Sequence, residues 1–139
     1  MITLRNITKE NFWEIIELKV SEPQKELVTS NAVSIAQSKI QPECIPLGIY
    51  EDEEAFGFIM YCIDTDDGEY WIYRLMIDER YQRRGYAKEA MTLLIKEFRR
   101  IDQRTASSLA SIKEGRKQSH YIKVSDFYLP GKVSVKRIL

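Results

Sequence analysis

The chain is 139 residues long, enough for one domain with a sizeable core and too short for two. Its 44% hydrophobic and 30% charged residues exclude a disordered or fibrous chain, and its longest apolar runs, such as Phe56 to Cys62 broken by Gly57, are too short to cross a bilayer. The net charge of zero hides an asymmetry, because residues 1–102 hold 13 Lys/Arg against 19 Asp/Glu while residues 103–139 hold 8 against 2.

Ile2, Leu4 and Ile7 predict a short opening strand. From Thr8, a candidate N-cap, the apolar positions Phe12, Ile15, Ile16 and Val20 fall at helical spacing. Ser21-Glu22-Pro23 interrupts the pattern and puts Pro at the first turn of a second helix, whose stripe Leu27, Val28, Ala32, Ile35 and Ala36 runs to about Ser38. Pro42 and Pro46 end it. Ile45 to Tyr50, Ala55 to Ile63 and Glu69 to Ile77, separated by turns at Glu51 to Glu54 and Asp64 to Gly68, predict an antiparallel meander. After Asp78, the loop Glu79 to Arg84 leads into a helix with the stripe Ala87, Met91, Leu94, Ile95 and Phe98. The predicted order is β-α-α-β-β-β-α in a single domain, 1–139. Cys44 and Cys62 lack CxxC spacing and the only histidine is His120, so reduced, buried thiols are expected, with no metal.

The segment with chemical content is Arg74-Leu-Met-Ile-Asp-Glu-Arg-Tyr-Gln-Arg-Arg-Gly-Tyr-Ala-Lys-Glu-Ala, a strand running through a Gln82-x-x-Gly85-x-Ala87 turn into a helix. Backbone amides at a helix start have no intrahelical acceptors and lie at the positive end of the dipole, so they suit an anion such as pyrophosphate. Gly85 allows close approach or an unusual torsion, Arg83, Arg84 and Lys88 add positive charge, and Ala87 is small. The same spacing also describes a plain strand-to-helix turn.

The segment resembles the R/Q-x-x-G-x-G/A motif of the GNAT superfamily of N-acetyltransferases, in the expected place after a meander and before an amphipathic helix. The resemblance implies a three-layer α+β fold with a mixed, mainly antiparallel sheet flanked by helices, and acetyl-CoA as cosubstrate. It implies that Leu75, Met76 and Ile77 pair with the pantetheine arm from a splayed strand. Gln82, Arg83, Arg84, Gly85, Tyr86, Ala87 and Lys88 would then hold the pyrophosphate.

Leu18-Lys-Val-Ser-Glu-Pro-Gln-Lys-Glu-Leu-Val-Thr-Ser-Asn-Ala-Val-Ser resembles the L-x-V-x-x-x-Q-x-x-F/Y-V-x-x-N-x-x-S pattern of bacterial spermine/spermidine acetyltransferases, with Leu27 where an aromatic is usual. This likeness covers residues 4 to 100, with Pro46-Leu47-Gly48-Ile49-Tyr50 and Gly57-Phe58-Ile59-Met60-Tyr61. It implies a polyamine acceptor, with Glu22, Gln24, Glu26 and Asn31 on the substrate side. Glu22, Glu26 and Glu69 are carboxylates able to pair with ammonium groups, although any single one is more readily a solvated helix or turn charge. The implied mechanism is direct attack of a deprotonated amine on the thioester, with the oxyanion held by a strand amide near Met76. Tyr73 and Glu69 are the candidates for base or water relay, although Tyr73 also fits a core position.

Beyond Asp102 the resemblance stops. The family continues with a strand and an A-x-x-L-Y-x-x-L-G-F helix whose Tyr is the usual general acid, whereas residues 103–139 form a polar, basic tail without periodicity. Reading the same nucleotides from the third base of each codon permits, from Lys117 to Lys132, Ala-Val-Ala-Leu-Tyr-Lys-Ser-Leu-Gly-Phe-Leu-Phe-Thr-Gly-Glu. Several of those residues are free choices among degenerate codons, but the Leu before Tyr/His and the later Leu are forced. A slip of frame near residues 101 to 104 is therefore expected, which makes the basic tail a product of the shift and not a nucleic-acid arm. In-frame Tyr121 or Tyr128 are then the remaining tyrosines able to replace the acid. A cytoplasmic protein is expected, with no nucleic-acid or membrane partner. Relatives of this kind often form homodimers, although no interface is legible in the sequence.

Overall fold

The computed structural model describes residues 1–66, 68, 70–105 and 122–123; Glu69 and most of the tail, with Tyr121 and Tyr128, lie outside them. The elements are β1 (Ile2–Asn6), α1 (Phe12–Glu17), α2 (Asn31–Ile40), β2 (Cys44–Glu51), β3 (Glu54–Ile63), β4 (Tyr70–Ile77), α3 (Tyr86–Thr105) and β5 (Ile122–Lys123). The five strands lie in the sheet order β1-β2-β3-β4-β5, and every described pairing is antiparallel.

Period-two alternation divides the side chains between two layers. Ile49, Phe56, Ile59, Ile72 and Ile77 face α3, where Ala90, Met91, Leu94 and Phe98 form the buried stripe of that helix. Tyr50, Phe58, Met60, Cys62 and Met76 face the other way, against Ile15 and Leu18. The central strand β3 is covered on both faces, which explains its unbroken apolar run. Gly48 permits close seating of α1, since a Cβ there would meet Ile15 Cδ1 at 2.7 Å. Cys44 and Cys62 sit directly opposite each other across β2 and β3 as buried, free thiols. Burial first, and the neighbouring Cys62 second, push the Cys44 thiol up to about 12.

The meander matches the predicted strands to within a residue, but the first helices differ from expectation. Thr8 precedes α1 by four residues: its N–H donates to Asn11 Oδ1 at 2.7 Å, and its carbonyl accepts the Phe12 N–H at 2.9 Å. The single second helix predicted from Pro23 is two elements. Glu22–Gln24 form a 3-10 turn with a Ser21/Gln24 capping box, and α2 starts only after Ser30, whose Oγ accepts the Val33 N–H at 3.3 Å. Two local caps outcompete one continuous helix, and Leu27 is left 67% exposed between them. β5, which pairs with Trp71 and Ile72, was not foreseen because its two residues carry no periodic signal.

Candidate active site

Asp78 anchors the connection from β4 to α3. Its Oδ1 accepts the Arg80 N–H at 3.1 Å and Nε at 2.8 Å, and its Oδ2 accepts the Lys19 N–H at 3.1 Å. Burial pushes this carboxyl up, but the bonds from Arg80 and from the Lys19 and Arg80 amides outweigh burial and hold it below its ordinary value. Gln82 follows in an extended conformation, and its Nε2 donates to the Ile77 carbonyl and to Gln24 Oε1, each at 2.9 Å.

The next residues form a concavity. Arg83 (φ 64°) and Gly85 (φ 82°) are both left-handed, an arrangement that curls successive amides toward one side. A Cβ built on Gly85 meets nothing within 4 Å, so glycine is required here for its torsion and the backbone faces open space. The first intrahelical bond of α3 runs from the Glu89 N–H to the Gly85 carbonyl at 3.1 Å, which leaves the Tyr86, Ala87 and Lys88 amides at the helix start. Arg83, Arg84 and Lys88 are exposed around them. Tyr86 contributes only backbone here, because its ring lies 4.6 Å from that of Phe56 and its hydroxyl donates to Glu51 at 2.9 Å.

Leu75, Met76 and Ile77 pair with Ile59, Phe58 and Gly57 of β3. The Asp78 N–H donates to the Phe56 carbonyl, so by alternation the main-chain groups of Met76 also face β3 and those of Leu75 and Ile77 face outward. The Ile77 carbonyl bonded by Gln82 is one of these outward groups. Among the described residues β5 covers only Trp71 and Ile72 of that outer edge, so positions 74–77 have no strand beside them.

A β-bulge shapes the rest of the strand. Met60 pairs with Arg74 and Tyr61 with Ile72, leaving Tyr73 as the extra residue. Tyr73 packs half-buried on the α1 side, and Arg74 reaches Gln37 of α2, so consecutive side chains point to one face. Arg74 Nη1 donates to the Tyr73 carbonyl at 2.9 Å and Nη2 to Gln37 Oε1 at 3.4 Å, while its buried Nε has no hydrogen-bond partner among the described residues.

The four residues expected on the substrate side are spread over this region. Glu22 is exposed and paired with Lys25, and Glu26 is exposed. Gln24 is committed to Gln82 and to the Ser21 N–H, at 3.3 Å. Asn31 is buried, its Nδ2 donating to the Ile15 carbonyl at 2.9 Å. Glu69 lies outside the described residues, so only Tyr73 of the two base candidates is placed.

The sequence reading missed Asp78 and Arg74 as structural centres, and it passed over a cavity of about 560 Å³ lined by Glu14, Glu51, Asp52, Glu53, Glu54, Phe56 and Tyr81. The acidic run Glu51 to Glu54 was its only visible sign. Of its lining residues, Glu14 accepts the Ala55 N–H at 3.1 Å, Glu54 accepts from Tyr81, and Glu53 pairs with Arg5 at 3.0 Å.

The model of the Acetyltransferase (GNAT) family matches residues 7–120. A spermine/spermidine N(1)-acetyltransferase of Bacillus subtilis (strain 168) is 32% identical over 100 residues, 68% of this chain and 66% of that protein. A probable spermine N(1)-acetyltransferase of Bacillus subtilis subsp. natto (strain BEST195) is 30% identical over the same shares. The chain thus spans just under two thirds of the length of each. A GNAT family acetyltransferase of Staphylococcus aureus superposes with a TM-score of 0.46 at 14% identity, over 84% of this chain and 98% of that one. With its strand, glycine turn and helix in the family's order and its sequence matched from residue 7 to 120, the chain belongs to the GNAT acetyltransferase family.

Proposed function

We propose that the protein is an acetyl-CoA-dependent N-acetyltransferase that acetylates a primary amine of a polyamine such as spermidine or spermine in the cytoplasm. The observation that carries this reading is the concavity formed by left-handed Arg83 and Gly85 at the start of α3. Open backbone, three helix-start amides and the cations Arg83, Arg84 and Lys88 fit a pyrophosphate. When bound, acetyl-CoA supplies an activated thioester. The protein's part is to hold it along the outward main chain of Leu75 and Ile77, whose N–H groups are the strand donors for an oxyanion. Tyr73, set beside the bulge on the α1 side, is the described candidate for moving the amine proton. The names of the two Bacillus relatives support the polyamine acceptor. Neither nucleic acid nor membrane enters the reading, and a homodimer is compatible with it.

The test is release of free CoA from acetyl-CoA with spermidine, spermine and unrelated amines. Spermidine turnover well above that of simple monoamines is expected, and turnover confined to other amines would remove the polyamine assignment. Arg74 favours a second reading, in which the acceptor is another small amine or a protein N-terminus. A half-buried guanidinium with no carboxylate ion pair among the described residues opposes a polycation on that face.

Residues 103–139 bear on whether the chain completes the reaction. If the frame shift inferred from the sequence is real, the family's acid Tyr is missing, and the alternative reading holds: an acetyl-CoA-binding remnant without turnover. Sequencing codons 98 to 106 together with the intact protein mass decides this. An unbroken gene encoding this sequence rules the shift out.

A further inference from the structure

Two connections that the sequence assigns to different halves of the site are joined by hydrogen bonds. Residues 18–30 link α1 to α2 on the acceptor side, and residues 78–85 link β4 to α3 on the anion-binding side. The Glu79 N–H donates to the Lys19 carbonyl at 2.8 Å and the Lys19 N–H to Asp78 Oδ2 at 3.1 Å. Farther along both connections, Gln82 Nε2 donates to Gln24 Oε1 at 2.9 Å.

Gln82 stands at the junction. An amide nitrogen has two donor hydrogens, and both of its own are spent, one on Ile77 at the outer edge of β4 and one on Gln24. None remains for a phosphate. The residue directly after it is left-handed Arg83, so any adjustment of the 83–85 turn around an anion pivots on the Gln82 backbone. On the far side, Gln24 Oε1 also accepts the Ser21 N–H and so completes the capping box of the 3-10 turn at Glu22–Gln24. A continuous path therefore runs from the anion turn through Gln82 and Gln24 to Ser21. The Asp78–Lys19 contacts are a fixed hinge beside it.

We propose that Gln82 and Gln24 are a positioning pair: Gln82 does not bind the ligand through its side chain, but transmits occupancy of the 83–88 turn to the connection that faces the acceptor. Binding of the CoA pyrophosphate then orders residues 21–27 before the amine arrives, and by reciprocity a bound acceptor tightens CoA. This inference rests on the acetyl-CoA reading given above.

The experiment is amide hydrogen exchange on the full chain with and without saturating CoA, with calorimetry to verify binding. In the unaltered protein, exchange across residues 21–27 slows roughly tenfold or more with CoA, within the usual range for coupled sites. Gln24→Leu keeps the bulk but loses the acceptor oxygen. In that variant CoA still binds, and the slowing falls below about twofold. Gln24→Glu retains an acceptor for both Gln82 Nε2 and the Ser21 N–H and restores the response, and the variant that separates transmission from a merely structural role is Gln82→Leu, which leaves the Ser21/Gln24 box intact. Gln82→Leu behaves as Gln24→Leu does; if it melts early, Gln24→Leu on the surface turn stands alone. Bound CoA without slowing in the unaltered protein, or equal slowing in Gln24→Leu, overturns the proposal. A flat calorimetric trace with CoA overturns the acetyl-CoA reading itself and the proposal with it, so the two failures are distinguished.

Discussion

The Asp78 carboxylate accepts the Lys19 backbone N–H at 3.1 Å across 59 residues of sequence. One buried side chain thus closes the turn after β4 and secures the chain leaving α1. A carboxylate held by several donors keeps its charge despite burial, and its loss takes the acceptor from the Lys19 and Arg80 amides.

Asp78→Asn is expected to destabilise the fold by about 2 kcal/mol, the usual size for leaving buried partners unpaired. The folded-state pKa of Asp78 lies below its ordinary 3.8, so its contribution is complete above that value and is lost as pH falls through the folded value. Urea denaturation at pH 3 and pH 6 should show a smaller acid loss in Asp78→Asn than in the unaltered protein. An identical loss in both would assign acid sensitivity elsewhere.

The Cys44 thiol gives the opposite sign. Its folded pKa of about 12 exceeds the ordinary 9.0, so its contribution is complete below 9 and falls away as pH rises from 9 toward 12. Denaturation at pH 8 and pH 10 is expected to show declining stability, with a shallower decline in Cys44→Ala. Equal slopes would contradict the assignment.

Gly85→Ala imposes a Cβ at φ 82°, a cost of about 1–2 kcal/mol for a left-handed L-residue, without a clash against the protein itself. That strain lowers fold stability, whereas CoA affinity should drop roughly tenfold or more, about 1.4 kcal/mol, because the added Cβ enters the open space a pyrophosphate would use. Calorimetry with CoA and a thermal melt separate the two effects. Unchanged affinity would take Gly85 out of the anion site.

Gly48→Ala is a stability test remote from that turn. Its new Cβ would lie 2.7 Å from Ile15 Cδ1 and 2.8 Å from Tyr50 Cε2, so α1 or the Tyr50 ring has to move. A loss of about 1–3 kcal/mol is expected, the usual cost of overpacking a core. A melting temperature equal to that of the unaltered protein would mean that α1 shifts freely.

Lys88 is exposed at the first turn of α3, and Lys88→Ala should weaken CoA binding severalfold in dilute buffer and less at 1 M salt, where surface charges are screened over about 3 Å. Salt-independent weakening would indicate a packing effect instead.

The sequence by itself determined the meander, the long amphipathic α3 and the glycine turn between them. The unbroken apolar run of β3 between two turns and the Ala87 to Phe98 stripe at helical spacing are local patterns, and Gly85 is a local torsional demand. The first helices were only half legible, because two caps at Ser21 and Ser30 compete with a plausible apolar stripe, and local propensity does not rank them. Tertiary structure alone decided which partners each side chain takes. Gln24 and Asn31, read as substrate ligands, are bonded to Gln82 and Ile15; the bulge at Tyr73 turns Arg74 toward α2; and Glu14 meets the hairpin after β2. These pairings join residues far apart in the chain, and such contacts are selected by the packing of whole layers, for which a run of residues carries no local signature.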